Sequence, residues 1–427
     1  MTSENNLLIF PFLAYPTPKR TRQATAFGLA LLAASAFAQP VSTPTLKQAL
    51  DAAWQTSSQS RSLDNRRGEL AAKEKAASSW LSGEPVAGIA HRTDRLNKNE
   101  GFREVEAELE LPLWNPGVRS SAQADVSAQR MGFDGQFQLA KLKLAGELRT
   151  LSANIATAQV ELDLHKRKLF EATALAQDLS RRVKAGENAR VDGLQSQVLV
   201  QQAQTAIAQA ESQLSRYLSQ WRSLTGLAAV APPDETLASI AANEADAAPV
   251  SSDHPALRSA QAQVSSAQAK LALANADKRD PMSVGVGVGR ERANFAGANE
   301  TKLRIALRIP LGGDNRNAPR QAAARAELDA AQADLDAAQR QLPAEVAAAS
   351  ADLRAAYTAQ TAARERVRLS TEVQTLITKS WRLGDSDLPT RLRADNEQFE
   401  ASLSLAKASI NVQRAIANLN QAHGLLP

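Results

Sequence analysis

The chain has 427 residues, no cysteine, 4% aromatic residues and a formal net charge of +5 from 50 basic and 45 acidic side chains. Disulfides, thiolate metal sites, a cysteine nucleophile and a lipid anchor on an N-terminal cysteine are therefore excluded. Charge this close to balance gives no argument for nucleic acid, and alanine-rich, aromatic-poor composition suits long helices packed at short range.

Residues 1–18 are mostly apolar, and a mis-set start codon is the one account the sequence offers for them. Lys19-Arg20-Thr21-Arg22 then forms a basic region, Ala24–Phe37 an apolar core, and Ala36-Phe37-Ala38 a small-x-small cleavage site. This pattern predicts a secretory signal peptide over 1–38. About 15 apolar residues fall short of the ~20 that a membrane helix needs. No later run is long enough either, so any membrane passage must be made by strands.

From Thr45 to about Trp80, Leu46, Ala49, Leu50, Ala53 and Trp54 recur at helical spacing, and Thr43 or Thr45 is placed to cap the helix. Gly83 and Pro85 end it. Pro85–Asp94 and Phe102–Leu113 then predict a hairpin around the polar Arg95–Gly101 turn. In its second strand Val105, Ala107, Leu109 and Leu111 alternate with Glu104, Glu106, Glu108 and Glu110, giving one aliphatic and one acidic face.

A second hairpin follows later. Val284, Val286 and Val288 alternate with Gly285, Gly287 and Gly289, and Leu303, Ile305 and Leu307 with Lys302, Arg304 and Arg308. The two hairpins are copies. Leu-Pro-Leu at 111–113 recurs as Ile-Pro-Leu at 309–311, an offset of 198 residues that also relates Gly186 to Gly384 and Gly226 to Gly424. A register held this long marks an internal repeat. At that offset, Glu104, Glu106 and Glu110 match Lys302, Arg304 and Arg308. A solvated outer face explains poorly why acids sit on one copy and bases on the other. A closed barrel explains it better, with these seven residues (Glu108 included) lining a wet interior and aliphatic faces meeting lipid. Four strands cannot close alone, since small barrels need about eight; two chains would supply eight strands and three would supply twelve.

Each hairpin leads into a long helical stretch. Val118–Val183 holds about 66 residues without proline, roughly 100 Å of helix; its counterpart runs from about Pro319 to Leu383, with a kink or break expected at Pro343. Each ends in a tight turn at Gly186 or Gly384, and Asn188 and Asp387 are candidate caps for the return helices, which reach Gly226 and Gly424. A return helix of about 40 residues cannot cover the whole long helix, so the first helix of one copy must cover the rest. Ala228–Asp253 reads as a linker whose composition carries no chemistry. The histidines are isolated, and the Val-Gly alternation lacks the helix that a phosphate loop requires. No metal site, cofactor or enzyme is expected. The turns are the best functional candidates, at Arg182, Gly186, Asp192, Leu194, Gly384, Asp385, Asp387, Thr390 and Arg393.

A signal peptide, a doubled helix–hairpin–long-helix unit, Leu-Pro-Leu strand ends and glycine turns together resemble the TolC family of outer-membrane efflux proteins, over essentially all of 40–427. The resemblance implies a mainly α fold with a small β part: a homotrimer whose α-helical barrel joins a shared 12-stranded β-barrel in outer-membrane lipid. It implies a first efflux repeat at 39–227, a linker at 228–252 and a second repeat at 253–427. It also implies a passive channel reaching into the periplasm, docked through its tips to a periplasmic membrane-fusion adaptor and an inner-membrane efflux pump. The turn Leu383–Ala394 resembles the heavy-metal cation-efflux (CzcC-like) branch. Thr390 and Arg393 stand where many drug and secretion members carry gate acids, leaving Asp385, Asp387 or Asp395 to supply acids near the mouth. Divalent metal cations are the expected cargo, with drug efflux or type I secretion as alternatives. A secreted coiled-coil scaffold is the alternative of another class; it explains the alanine-rich helices but not the hairpins.

Overall fold

The computed structural model describes residues 43–237, 251–312 and 314–427. The expected signal peptide and part of the linker lie outside the described residues. The rest forms one unit.

Its elements repeat in the expected order. The first copy has α1 (Leu46–Thr56), α2 (Ser58–Ser78), β1 (Val86–Thr93), β2 (Arg103–Leu113), α3 (Val118–Ala185) and α4 (Arg190–Thr225). The second has α5 (Pro255–Ala276), β3 (Met282–Arg292), β4 (Glu300–Arg308), α6 (Asp314–Leu383) and α7 (Leu388–Ala422).

Three expectations are corrected. The first helix is two helices: Ser57 is extended (φ −67°, ψ 143°) and its hydroxyl accepts from the Ser60 N–H, ending α1 and capping α2. Ser57 competes for the backbone as serine does at caps. Helix α6 starts before Pro319 and runs unbroken through Pro343, because its packing against both α5 and α7 outweighs one missing amide donor. Asn188 does not cap α4: the N-cap is Ala189, without a side-chain bond, and the Asn188 amide donates to Asp192 at 3.1 Å. Asp387 does cap α7, accepting from the Thr390 N–H at 3.0 Å. Thr45 caps α1 in a reciprocal box with Gln48.

Helix α3 is the hub, touching α1, α2, α4, α5 and α7. On its strand-side half Gly132 and Gly135 let α5 approach closely. A Cβ there would lie 3.1 Å from the Ala262 methyl and 3.2 Å from the Ser259 nitrogen. Midway, Leu144, Leu148, Leu151 and Ile155 pack with Leu46, Leu50, Trp54 and the fully buried Trp221. Towards the tips the neighbours run α4, α3, α7, α6, with α3 and α7 as the inner pair.

The linker is not chemically idle. Its Glu235 forms a bidentate pair with Arg149 of α3 (2.9 and 3.0 Å), whose guanidinium also donates to Gln421 of α7. Arg149 is only 3% exposed. The Asn420 amide donates to Glu235, and Ser152 donates to the Ala231 carbonyl at 2.6 Å. One buried ion pair thus ties both repeats to the segment joining them.

Candidate functional site

The four strands form one antiparallel sheet in the order β1-β2-β3-β4. The register puts Glu110, Gly285 and Ala306 in one row, Glu108, Gly287 and Arg304 in the next, and Glu106, Gly289 and Lys302 in the third. Acids of β2 and bases of β4 therefore share a face, separated by the glycines of β3. The glycines explain how the two meet. A Cβ on Gly285 would lie 2.5 Å from the Glu108 carboxylate, and one on Gly287 3.5 Å from that of Glu106. The carboxylates lie across the bare strand. Arg304 pairs with Glu106 at 2.8 Å, and Arg308 with Glu108 at 3.2 Å and also with Glu110. Arg308 and Glu110 are exact repeat counterparts, 198 residues apart. Arg92 takes Glu104 at 2.9 Å, and Lys302 takes Glu291 at 2.5 Å and Glu300 at 3.8 Å. Six carboxylates (Glu104, Glu106, Glu108, Glu110, Glu291, Glu300) thus share four cations (Arg92, Lys302, Arg304, Arg308). This face is net acidic on a net basic chain.

The other face is aliphatic and bare. Ile89 is 85% exposed, Ile305 73% and Leu303 69%. Strands β1 and β4 are its open edges.

At the opposite end of the long helices, Gly186 (φ 80°) and Gly384 (φ 87°) take the left-handed conformation and end α3 and α6. The two turns meet through Trp381. Its ring is buried with Leu175, Leu179 and Leu388. Arg182 of α3 lies 4.6 Å from the ring centroid and Arg391 of α7 lies 4.0 Å from it. Asp178 holds Arg182 at 3.0 Å; Asp395 faces Arg391 at 3.6 Å and accepts from Gln374 of α6. Burial lowers the Arg391 pKa, and the Asp395 charge opposes that shift. Above this clasp a cavity of about 250 Å³ is lined by His165, Glu171, Asp395 and Phe399. Burial there raises the Glu171 pKa, with Asp395 adding to it, and lowers that of His165.

Of the expected tip residues, Arg182 enters the clasp, while Gly186 and Gly384 make the turns. Asp387 is the cap: its bonds to the Thr390 side chain and backbone hold its carboxyl below the usual range. Thr390 is that cap's donor. Asp385 and Arg393 are exposed, and Asp192 and Leu194 (52% exposed) stay on the first turns of α4. Asp395 points inward to Gln374 and Arg391. Sequence reasoning missed Trp381 and Arg391. A lone tryptophan among alanine, glutamine and arginine was the available signal.

Residues 250–425 match the model of the outer membrane efflux protein family. No curated protein sequence matches the chain. Solved structures match across both repeats. A membrane protein from Pseudomonas aeruginosa superposes with a TM-score of 0.72 at 18% identity, covering 89% of this chain and 90% of that one. The outer membrane protein VceC of Vibrio cholerae gives 0.70 at 13% identity, covering 89% and 96%. The CmeC outer membrane channel of Campylobacter jejuni gives 0.71 at 12% identity, covering 89% and 85%. The whole described chain therefore has the outer-membrane efflux channel fold, mainly helical with one four-stranded sheet. The family that the second half of the chain matches and the solved structures of this fold are outer-membrane proteins and channels. Among the described residues no helix is long and apolar enough to cross a membrane.

Proposed function

We propose that three copies of this chain close head to tail into the passive exit channel of a tripartite efflux system, and that its cargo is cationic, divalent metal ions above all. The charge balance of the polar sheet face carries this reading. Four strands with a bare aliphatic face and two open edges need partner strands. Three copies supply twelve, with the glycine-bridged ladder turned inward. Two cations short of its acids in every copy, that lining favours a positively charged passenger.

The helices fit the same closure. Outer helix α4 exposes Val191, Leu194 and Val198, and outer helix α6 exposes Leu369, Val373, Leu376 and Leu383. Unlike edges that complete each other make a ring when the rotation closes. The tips at Gly186 and Gly384 then sit where a periplasmic adaptor and its inner-membrane pump would dock, and the Trp381 clasp restricts the mouth. Energy comes from the pump.

The experiment is growth of a deletion strain on graded zinc, cobalt and cadmium beside a lipophilic cationic dye and an anionic drug. Metal sensitivity restored by the intact gene supports the cargo assignment. Sensitivity to the dye alone moves the cargo to organic cations, and sensitivity to the anionic drug alone defeats the electrostatic argument.

A further inference from the structure

On the aliphatic sheet face apolar rows give way to polar ones towards the hairpin loops. The row Ile89, Ala107, Val288 and Leu303 is wholly apolar. The next row towards the hairpin loops is His91, Val105, Arg290 and Thr301, and the one after it holds Thr93, Arg103 and Arg292. Three arginines thus crown the greasy face. Arg103 and Arg292 are direct cross-strand partners. Like charges opposite each other destabilise a sheet.

Among the described residues no carboxylate lies within ion-pair distance of Arg103, Arg290 or Arg292. Strand alternation is the reason: the adjoining acids Glu104 and Glu291 point to the other face, where Arg92 and Lys302 take them. Arg292 donates only to the Gly101 carbonyl, at 3.3 Å, and stands 5.7 Å from the Phe295 ring centroid. Arg103 and Arg290 are exposed. Every basic residue on the polar face has an acid, whereas these three have none.

We infer that Arg103, Arg290 and Arg292 bind the phosphate groups of a lipid in the outer leaflet, whose acyl chains lie along Val286, Val288, Leu303 and Ile305. The inference rests on the barrel reading, which turns this face to the membrane with the loops outward. A phosphorylated lipid matches the face at both levels: apolar chains against the aliphatic band, anionic groups at its upper rim. Guanidinium forks take phosphate oxygens in pairs, and bound phosphate would convert the Arg103–Arg292 repulsion into a bridge.

The test uses the full chain purified in a neutral detergent. Diphosphoryl lipid A, the same lipid with its phosphates removed, and inorganic phosphate are added separately, and the melting midpoint of the oligomer is followed. Diphosphoryl lipid A should raise the midpoint. The dephosphorylated lipid should do so much less, and inorganic phosphate not at all. The variant R103Q/R290Q/R292Q should bind the phosphorylated lipid at least about tenfold more weakly, as loss of several charge-assisted hydrogen bonds implies. If that triple variant does not assemble, R290Q alone should show a smaller loss in the same direction. Equal shifts from both lipids, or an R290Q variant with undiminished response, overturns the site. A full shift from inorganic phosphate alone overturns the lipid assignment. A chain found only in the soluble fraction would instead defeat the barrel reading beneath it.

Discussion

Arg149 shows how much one side chain can hold. Its guanidinium is buried between Glu235 and Gln421, so it fastens α3, the linker and α7 at a single point. Replacing it with alanine leaves Glu235 shielded from water without its partner. Breaking one side of a buried pair costs about 3–5 kcal/mol, so Arg149→Ala should lower the denaturation midpoint markedly, while Arg61→Ala on exposed α2 should not. His254 gives a pH signature. It is 4% exposed, its Nδ1 accepts from the Ala256 N–H, and burial lowers its pKa from 6.5. The folded chain therefore resists a proton that the unfolded chain accepts. Stability is complete above pH 6.5 and falls as pH drops from there through the lowered folded value. His165 acts in the same direction. His254→Asn keeps a capping acceptor and removes the titration, so the stability loss between pH 7 and pH 5.5 should shrink in thermal melts. Neither role was legible in the sequence. Arg149 and Glu235 lie 86 residues apart, and an isolated arginine in a long helix reads as a solvated one.

At the scale of elements, β3 works through what its glycines lack. The alternation of Val with Gly identified a strand, and the offset of 198 matched acids to bases. Both were readable locally, because side chains alternate strictly along a strand. That the bases reach the acids across a bare middle strand required the register. Gly285→Val should push Glu108 off its site, where even a Cβ would come within 2.5 Å of the carboxylate. Overpacking of this kind costs about 1–3 kcal/mol, read as earlier dissociation of the oligomer on heating. Gly289→Ala is the control: its nearest neighbour would be 4.0 Å away, and the oligomer should melt almost unchanged. The break at Ser57 escaped the sequence for the opposite reason. The apolar period ends near Trp54, but alanine and leucine resume in α2, and only the cap geometry shows the chain turning.

At the scale of the whole molecule, the clasp joins the tips of the two repeats. Arg182 and Arg391 come from different repeats and meet over one ring. Cation–π contacts contribute about 0.5–2 kcal/mol each, enough to bias a mouth between narrow and wide states without locking it. Trp381→Ala should therefore raise single-channel conductance in planar bilayers and leave the sheet's heat stability intact. Unchanged conductance would show that the clasp does not restrict the mouth. A cross-link between Arg182→Cys and Ser380→Cys should have the reverse effect and reduce efflux.

The sequence by itself determined the repeat, both hairpins, the long helices and the glycine turns. The repeat is written in the 198-residue offset, the strands and helices in periods of two and 3.6, and a left-handed glycine follows each of the long helices α3, α4, α6 and α7. Tertiary structure alone decided which residues meet. It drew Glu235 out of an apparently featureless linker onto Arg149, placed Trp381 between two arginines, and turned Asp395 inward onto Arg391 and Gln374. Those pairings join positions far apart in the chain, and their energy comes from burial and charge contact that exist only once α3 and α7 lie side by side.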